Sequence, residues 1–285
     1  MLGFISVNKK KGDTSAFVVN RIKRLVGKGS HIGHMGTLDP LASGVLPVAI
    51  GQATRLFPFL LDKRKSYLAD FDFSFTTPSL DLETEPTLTT VKRTTEKEIL
   101  SVLPSLIGEV MQVPPVYSAK CVDGKRSYKL ARRGVEVELQ PKKVQIDDIR
   151  LVEKLSETCF RFEIDCRGGT YIRSIARDLG AALDLPATMT NLVRTRSGIF
   201  TIENSFTLDE IEEKGLSACL VEPDKTVFYP ELKLTAEEEK RLLNGLYDDF
   251  SVENGLCKVY GEAGFLGVGE VTDKKLKMKA YVRDL

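Results

Sequence analysis

Residues 66 to 75, Ser-Tyr-Leu-Ala-Asp-Phe-Asp-Phe-Ser-Phe, alternate with a period of two. Tyr67, Ala69, Phe71, Phe73 and Phe75 share one face, and Asp70, Asp72 and Ser74 the other. That period predicts a strand with one face on a core. Residues 160 to 166 repeat it, with Phe160, Phe162, Ile164 and Cys166 set against Arg161, Glu163 and Asp165. Shorter strands are expected over 3 to 8 and around Leu46, Val48 and Ile50. Helical spacing shows elsewhere. Phe17, Val18, Ile22, Leu25 and Val26 predict an apolar face over roughly 16 to 26, with Asp13, Thr14 or Ser15 as N-cap and Gly27 as C-cap. Residues 95 to 107 read as a helix that Pro104 interrupts. After the Gly168-Gly169-Thr170 break, Ile172, Ile175, Ala176, Leu179, Ala182 and Leu183 line one helical face. The character changes near residue 229. Thr235-Ala236-Glu237-Glu238 is a capping box for a short helix ending near Asn244-Gly245, followed by short strands with glycines at 255, 261, 264, 267 and 269. The pattern predicts an α+β protein over 1–228, followed by a small β-rich domain over 229–285.

Composition narrows the function more by exclusion than by assertion. The 285 residues are enough for a large core, and 42% hydrophobic content is ordinary for a globular chain. Lys plus Arg is 41 and Asp plus Glu 40, so net charge says nothing about an anionic partner. Five widely spaced cysteines without a CxxC are expected to be reduced thiols. The apolar run in MLGFISVNKKKG is too short for a signal peptide and no later run is long enough to span a membrane, so a cytoplasmic protein is expected. The two histidines, His31 and His34, have no cysteine near them, and no GxGxxG or GxxxxGK[ST] loop occurs. Neither a metal nor another cofactor is expected.

One stretch stands apart. Among residues 31 to 52 only Asp39 is acidic, in a chain that is 28% charged. Glycines at 33, 36, 44 and 51 and prolines at 40 and 47 surround it. Pro40 disfavours helical torsions at Asp39. The bland alternative is a turn, for which Asp-Pro is a common start. A lone carboxylate in so long a loop with few other polar groups favours presentation for chemistry.

The run Gly33-His34-Met35-Gly36-Thr37-Leu38-Asp39-Pro40-Leu41-Ala42-Ser43-Gly44-Val45-Leu46-Pro47 resembles the catalytic motif of the TruB-type tRNA pseudouridine synthases. Gly168-Gly169-Thr170-Tyr171-Ile172-Arg173-Ser174-Ile175 is a second specific match. Gln112 to Lys120 and Asn191 to Gly198 are further ones, and the resemblance covers most of the chain. It implies the pseudouridine synthase fold, a mixed, largely antiparallel central sheet with flanking helices over 1–228, then a PUA-like C-terminal domain over 229–285, and isomerisation of the uridine at position 55 in the T-loop of tRNA. It implies no cofactor, no obligate protein partner, and a monomer. By the same resemblance Asp39 is the covalent catalyst, attacking either C6 of the base or C1′ of the ribose. Arg173 pairs with Asp39. Tyr67, in Lys65-Ser66-Tyr67, stacks on the target base or accepts the C5 proton. His34, Tyr171 and Leu192 belong to the base and RNA contacts. The family's Asp-Lys-Pro is here Asn8-Lys9-Lys10; Lys9 either supports the site electrostatically or is a solvated turn residue. Thr77-Pro78-Ser79-Leu80-Asp81 is a worn copy of a family segment, which leaves Asp81 without a clear role.

Charge is lopsided between Lys120 and Lys143, with eight basic residues against three acidic ones and Tyr128 among them. The family carries an RNA-gripping insertion here, about 118–143, and Lys125, Arg126, Arg132 and Arg133 are its candidate phosphate contacts. A second basic surface, Asn20, Arg21, Lys23 and Arg24 with Lys28 and His31, either meets phosphates or is a solvated helix face. Two rivals remain: an RNA-binding protein of this fold without catalysis, and a hydrolase using Asp39. Intact Asp39, Tyr67 and Arg173 count against the first. The second wants another carboxylate or a metal site, which residues 31 to 52 do not supply.

Overall fold

The computed structural model describes all residues except Lys28, Leu61, Asp62, Ala119, Asp123, Glu136, 245–252 and 284–285, and only the backbone of Val122, Lys125 and Arg126. The expected phosphate contact at Lys28, the helix end at Gly245 and the side chains of Lys125 and Arg126 therefore lie outside the described residues.

The chain opens with β1 (Gly3–Lys9), α1 (Ser15–Val26), β2 (Ile32–His34) and β3 (Ser43–Ile50), then a 3-10 segment, Gly51–Phe59. Next come β4 (Arg64–Asp72), β5 (Phe75–Thr76), β6 (Leu88–Thr89) and α2 (Glu96–Val102), which Pro104 turns into a 3-10 tail. β7 (Gly108–Gln112) leads to a hairpin of β8 (Cys121–Val122) and β9 (Lys125–Arg126) and to α3 (Ser127–Ala131). Then follow β10 (Lys142–Lys154), β11 (Cys159–Arg167), α4 (Ile172–Ala182), β12 (Thr188–Ser197), β13 (Phe200–Thr201) and α5 (Leu208–Lys214). The last part holds β14 (Glu231–Lys233), α6 (Ala236–Leu243), β15 (Gly255–Gly261), β16 (Gly264–Thr272) and β17 (Lys275–Tyr281).

The large sheet runs β1-β3-β12-β4-β11-β10-β7, with β2 on β3 and β13 on β12. Its neighbours are antiparallel except β3 and β12. Tyr67, Ala69, Phe71 and Phe73 enter the main core as their alternation requires, and Phe71 stacks on Phe162 at 5.0 Å between ring centres. The core on this face also takes Val18 and Ile22 from α1 and Ile175 and Leu179 from α4. β14-β15-β16-β17 form a separate four-stranded sheet. Val268, Ala280 and Val282 of that region pack against Phe4, Val45 and Ala49 on the opposite face of the large sheet.

That second cover explains a difference from the sequence pattern. Leu46, Val48 and Ile50 share one face of β3, yet Val45 and Ala49 on the other are equally buried. Two departures lie on helices. Phe17 and Leu25 stay 44% and 40% exposed, because α1 turns Ser15, Val18 and Ile22 inward. Ala182, at the end of α4, is exposed as well, while Arg173 and Ser174 are buried. No described helix is long and apolar enough to cross a membrane.

Candidate active site

The loop between β2 and β3 is held from four sides before any substrate arrives. Ser15, buried at the start of α1, donates from Oγ to the Leu38 carbonyl and accepts from the Leu38 N–H, both at 3.0 Å. The Gly12 N–H donates to the Pro40 carbonyl at 2.8 Å. The Ala42 N–H closes a turn on the Asp39 carbonyl at 3.0 Å. Gly44, at φ +98°, lets β3 run against β12: a Cβ there would lie 2.3 Å from the Arg194 carbonyl oxygen. Asp39 is thus presented by backbone bonds that do not use its carboxylate.

Lys9 is not solvated and does not line the cavity that holds Asp39, although the Asp39 charge acts on it. It is 1% exposed, and its Nζ donates to the carbonyls of Asp13, Lys10 and Pro40 at 2.7, 3.1 and 3.4 Å. Burial lowers its pKa from the ordinary value of 10.5 to about 8. Its place is behind the loop, as a brace. Lys9→Met should remove the buried ammonium from three carbonyls, of which those of Pro40 and Lys10 keep a backbone N–H, and lower stability by roughly 1–3 kcal/mol. Because the unfolded chain holds the Lys9 proton between pH 8 and 10.5 and the folded chain does not, this group makes stability rise with pH across that window. The variant's stability should rise less there, which urea melts at the two ends of the window measure.

Asp39 meets Arg173 across a cavity of about 280 Å³ lined also by Lys65, Tyr67, Ser118, Tyr171 and Leu192. Arg173 is 4% exposed, and its Nη2 lies 2.9 Å from Asp39 Oδ2. The same fork donates to the Ser79 carbonyl at 2.9 Å and the Tyr117 carbonyl at 3.1 Å, and Nη1 lies 3.5 Å from Asp81 Oδ2. Asp81, 3% exposed, is therefore the guanidinium's second carboxylate. The worn motif hid this, since the neighbouring carboxylate of the family pattern is missing. Burial raises the Asp39 pKa above the usual carboxylate range, and the Asp81 charge adds to it. Arg173 opposes both by charge and hydrogen bond without cancelling them.

The segment after β7 fixes the start of α4. Gln112, 2% exposed, accepts from the Tyr171 N–H at 2.8 Å and donates to the Tyr171 carbonyl at 3.2 Å. The Val113 carbonyl accepts from Ser174 and Arg177. These bonds place Tyr171 and Arg173 at the cavity wall. Tyr67 is 6% exposed, and burial pushes its pKa up to about 12, so at neutral pH it is a phenol. His34 lies elsewhere. It borders an adjoining, largely apolar cavity with Met35, Phe57 and Leu60, and does not line the one that holds Asp39.

The basic insertion folds back towards the site. Arg132 pairs with Glu83, two residues beyond Asp81, and its guanidinium lies 5.6 Å over the Tyr128 ring. Arg133 is exposed. Sequence reading missed Lys65, Gln112, Ser118 and Arg194 as site residues. All four lie in family-like segments, Lys65 beside Tyr67, Gln112 and Ser118 in Gln112 to Lys120, and Arg194 in Asn191 to Gly198, but nothing in those segments singled them out. Among the described residues, no three His, Cys, Asp or Glu side chains gather as a metal site requires.

An aspartate on a braced loop, an arginine bonded to it and a cavity of about 280 Å³ on a mixed sheet are the arrangement expected of a pseudouridylate synthase. The TruB family pseudouridylate synthase N-terminal domain matches residues 23–172, and the tRNA pseudouridylate synthase B C-terminal domain matches 173–222. The chain belongs to the TruB family. It is 37% identical to tRNA pseudouridine synthase B of Caldanaerobacter subterraneus subsp. tengcongensis, over 97% of this chain and 98% of that one. It is 40% identical to tRNA pseudouridine synthase B of a Caulobacter species, over 85% of this chain and 80% of that one. Among solved structures, a chain of a Cbf5-Nop10-Gar1 complex superposes with a TM-score of 0.69 at 25% identity, over 99% of this chain and 84% of that one.

Proposed function

We propose that this enzyme converts uridine to pseudouridine at position 55 in the T-loop of tRNA, with Asp39 as covalent catalyst. The observation that carries this reading is the Asp39–Arg173 pair at 2.9 Å, aimed into a cavity lined by Tyr67, Tyr171 and Leu192. The near-full-length relatives named tRNA pseudouridine synthase B support the substrate class.

The reaction breaks N1–C1′, forms C5–C1′, moves a proton off C5 and leaves one on N1. No atom is gained or lost. The base must first leave the loop stack, which costs a few kcal/mol. Leu192 and Tyr67 offer apolar walls for it. The Asp39 carboxylate then adds covalently, at C6 or at C1′, and is released when the base has turned. Arg173 keeps the carboxylate ionised and oriented. Tyr67, a phenol with a pKa of about 12, serves better as a stacking face than as a base. Incubation with unmodified tRNA, read by nucleoside chromatography, should give pseudouridine at one position without mass change. A hydrolase would instead release free uracil.

RNA grip is assigned to the insertion and to the sheet of β14 to β17, read as a PUA-like unit. A tRNA substrate places the reaction in the cytoplasm, and the enzyme acts as a monomer. If about four contacts form to looped RNA, log affinity should fall against log salt with a slope of roughly −3. Replacing Lys125, Arg126, Arg132 and Arg133 with Ala should flatten that slope. Arg132 must exchange Glu83 for a phosphate, so its share should be smaller than that of Arg133. Filter binding across a salt series checks both; an unchanged slope would show the segment is merely solvated.

A further inference from the structure

Lys65 has no part in the chemistry above, and its setting is unusual. It stands on β4 two residues before Tyr67, so both side chains leave the same face of the strand. It borders two cavities at once, the one that holds Asp39 and the adjoining one beside His34. Gly36 also borders both, and the Gly168-Gly169 turn supplies one residue to each. Lys65 and Gly36 thus form the wall where the two openings meet. Gly36 is fitted to this: a Cβ there would lie 2.9 Å from Lys65 Nζ.

The wall carries positive charge without a matching anion. Among the described residues no carboxylate lies within ion-pair distance of Lys65. Behind it sits Arg194, fully buried, donating from Nε to the Val45 carbonyl at 2.6 Å and from Nη2 to the Gly36 carbonyl at 3.1 Å. Among the described residues its Nη1 has no hydrogen-bond acceptor and no carboxylate pairs with it; its charge faces the Tyr67 hydroxyl instead. Burial and the Arg194 charge lower the Lys65 pKa to about 8. A desolvated cation with a second cation behind it is unfavourable unless an anion completes the site.

We propose that Lys65 binds a phosphodiester flanking the target nucleotide. This rests on the reading of the protein as an RNA uridine isomerase. With the target base in the Asp39 cavity, the strand must leave over its rim, and the anion every RNA carries there is a phosphate. Phosphate contacts set position rather than sequence. Held at Lys65, the phosphate fixes the depth to which the ribose enters, and so the distance of C1′ and C6 from Asp39. Gly36 keeps the passage open, and Arg194 strengthens the positive field without touching the strand.

The test uses the full-length enzyme and a T-arm hairpin in single turnover, reading the half-saturating concentration and the maximal rate. Lys65→Met should raise the half-saturating concentration roughly 10- to 100-fold, the usual worth of a charged hydrogen bond, and Lys65→Arg should recover most of it. The two linkages flanking the target uridine are then replaced, one at a time, by a neutral methylphosphonate. One of them should weaken the wild type by a similar factor and cost Lys65→Met nothing further. Equal losses in both proteins at both linkages would overturn the proposal. So would a Lys65→Met defect confined to the maximal rate, which would mark Lys65 as acting on the chemistry. A wild-type enzyme that forms no pseudouridine in the unmodified hairpin would sink the underlying function instead.

Discussion

Asp39→Asn is expected to form no measurable pseudouridine while binding tRNA within a few-fold of the wild type. The loop that carries residue 39 is held through Ser15 Oγ, the Gly12 N–H, Lys9 Nζ and the Ala42 N–H, and all four bond to its backbone. The side chain can therefore change without moving the loop. Asn keeps the shape and can still offer an oxygen to Arg173, but an amide is no nucleophile. Loss of a covalent catalyst costs on the order of 10⁴-fold or more. Stability should move the other way. The Asp39 pKa lies above the ordinary carboxylate value, so the ionised form is disfavoured in the folded protein. Above that pKa the charge costs stability, and Asn removes the cost. The variant should melt at or above the wild-type temperature at neutral pH. Single-turnover assays with purified protein, beside thermal melts, check both halves; clear turnover would end the assignment of Asp39 as nucleophile.

The strands that alternate were legible because one face met the core and the other did not. Residues 66 to 72 and 160 to 166 are of this kind. β3 was only half legible: its second face is covered in part by Val268, Ala280 and Val282, and local spacing carries no trace of contacts so far along the chain. α1 misled in detail, since Phe17 and Leu25 fit the helical stripe yet stay more than a third exposed. At the site, Asp39 and Arg173 stood out through long motifs. The residues that hold them did not. Ser15 reads as a helix cap and Lys9 as part of a lysine run; both act by bonding the backbone of a loop, 23 and 31 positions away respectively. Arg194 sits in an alternating strand where a charge suggests a solvent face, and it is fully buried instead. Charged side chains that satisfy carbonyls rather than partners of opposite sign leave no pattern in sequence.

Arg173→Lys is expected to fold and bind tRNA but to lose roughly 10²- to 10³-fold in turnover, with a larger loss at low pH. The guanidinium reaches four oxygen acceptors: the Ser79 and Tyr117 carbonyls, Asp39 and Asp81. A lysine ammonium has three donors at one point and cannot span them. Some carbonyl is left short, which should lower stability by roughly 1–3 kcal/mol. The effect on Asp39 has a definite sign. Burial already raises its pKa, and Arg173 is the main influence acting downward. A poorly placed cation opposes burial less, so the pKa climbs further. At any pH near it, a smaller fraction of Asp39 is ionised, and only the ionised form is a nucleophile. The acid limb of the rate profile should therefore begin at higher pH in the variant. The ratio of wild-type to variant rate should shrink as pH rises, down to a constant that reflects lost orientation alone. Single-turnover rates across the acid range on unmodified T-arm RNA give that ratio directly. A ratio independent of pH would mean that Arg173 only orients the carboxylate; a ratio of one would leave it a structural residue beneath the cavity.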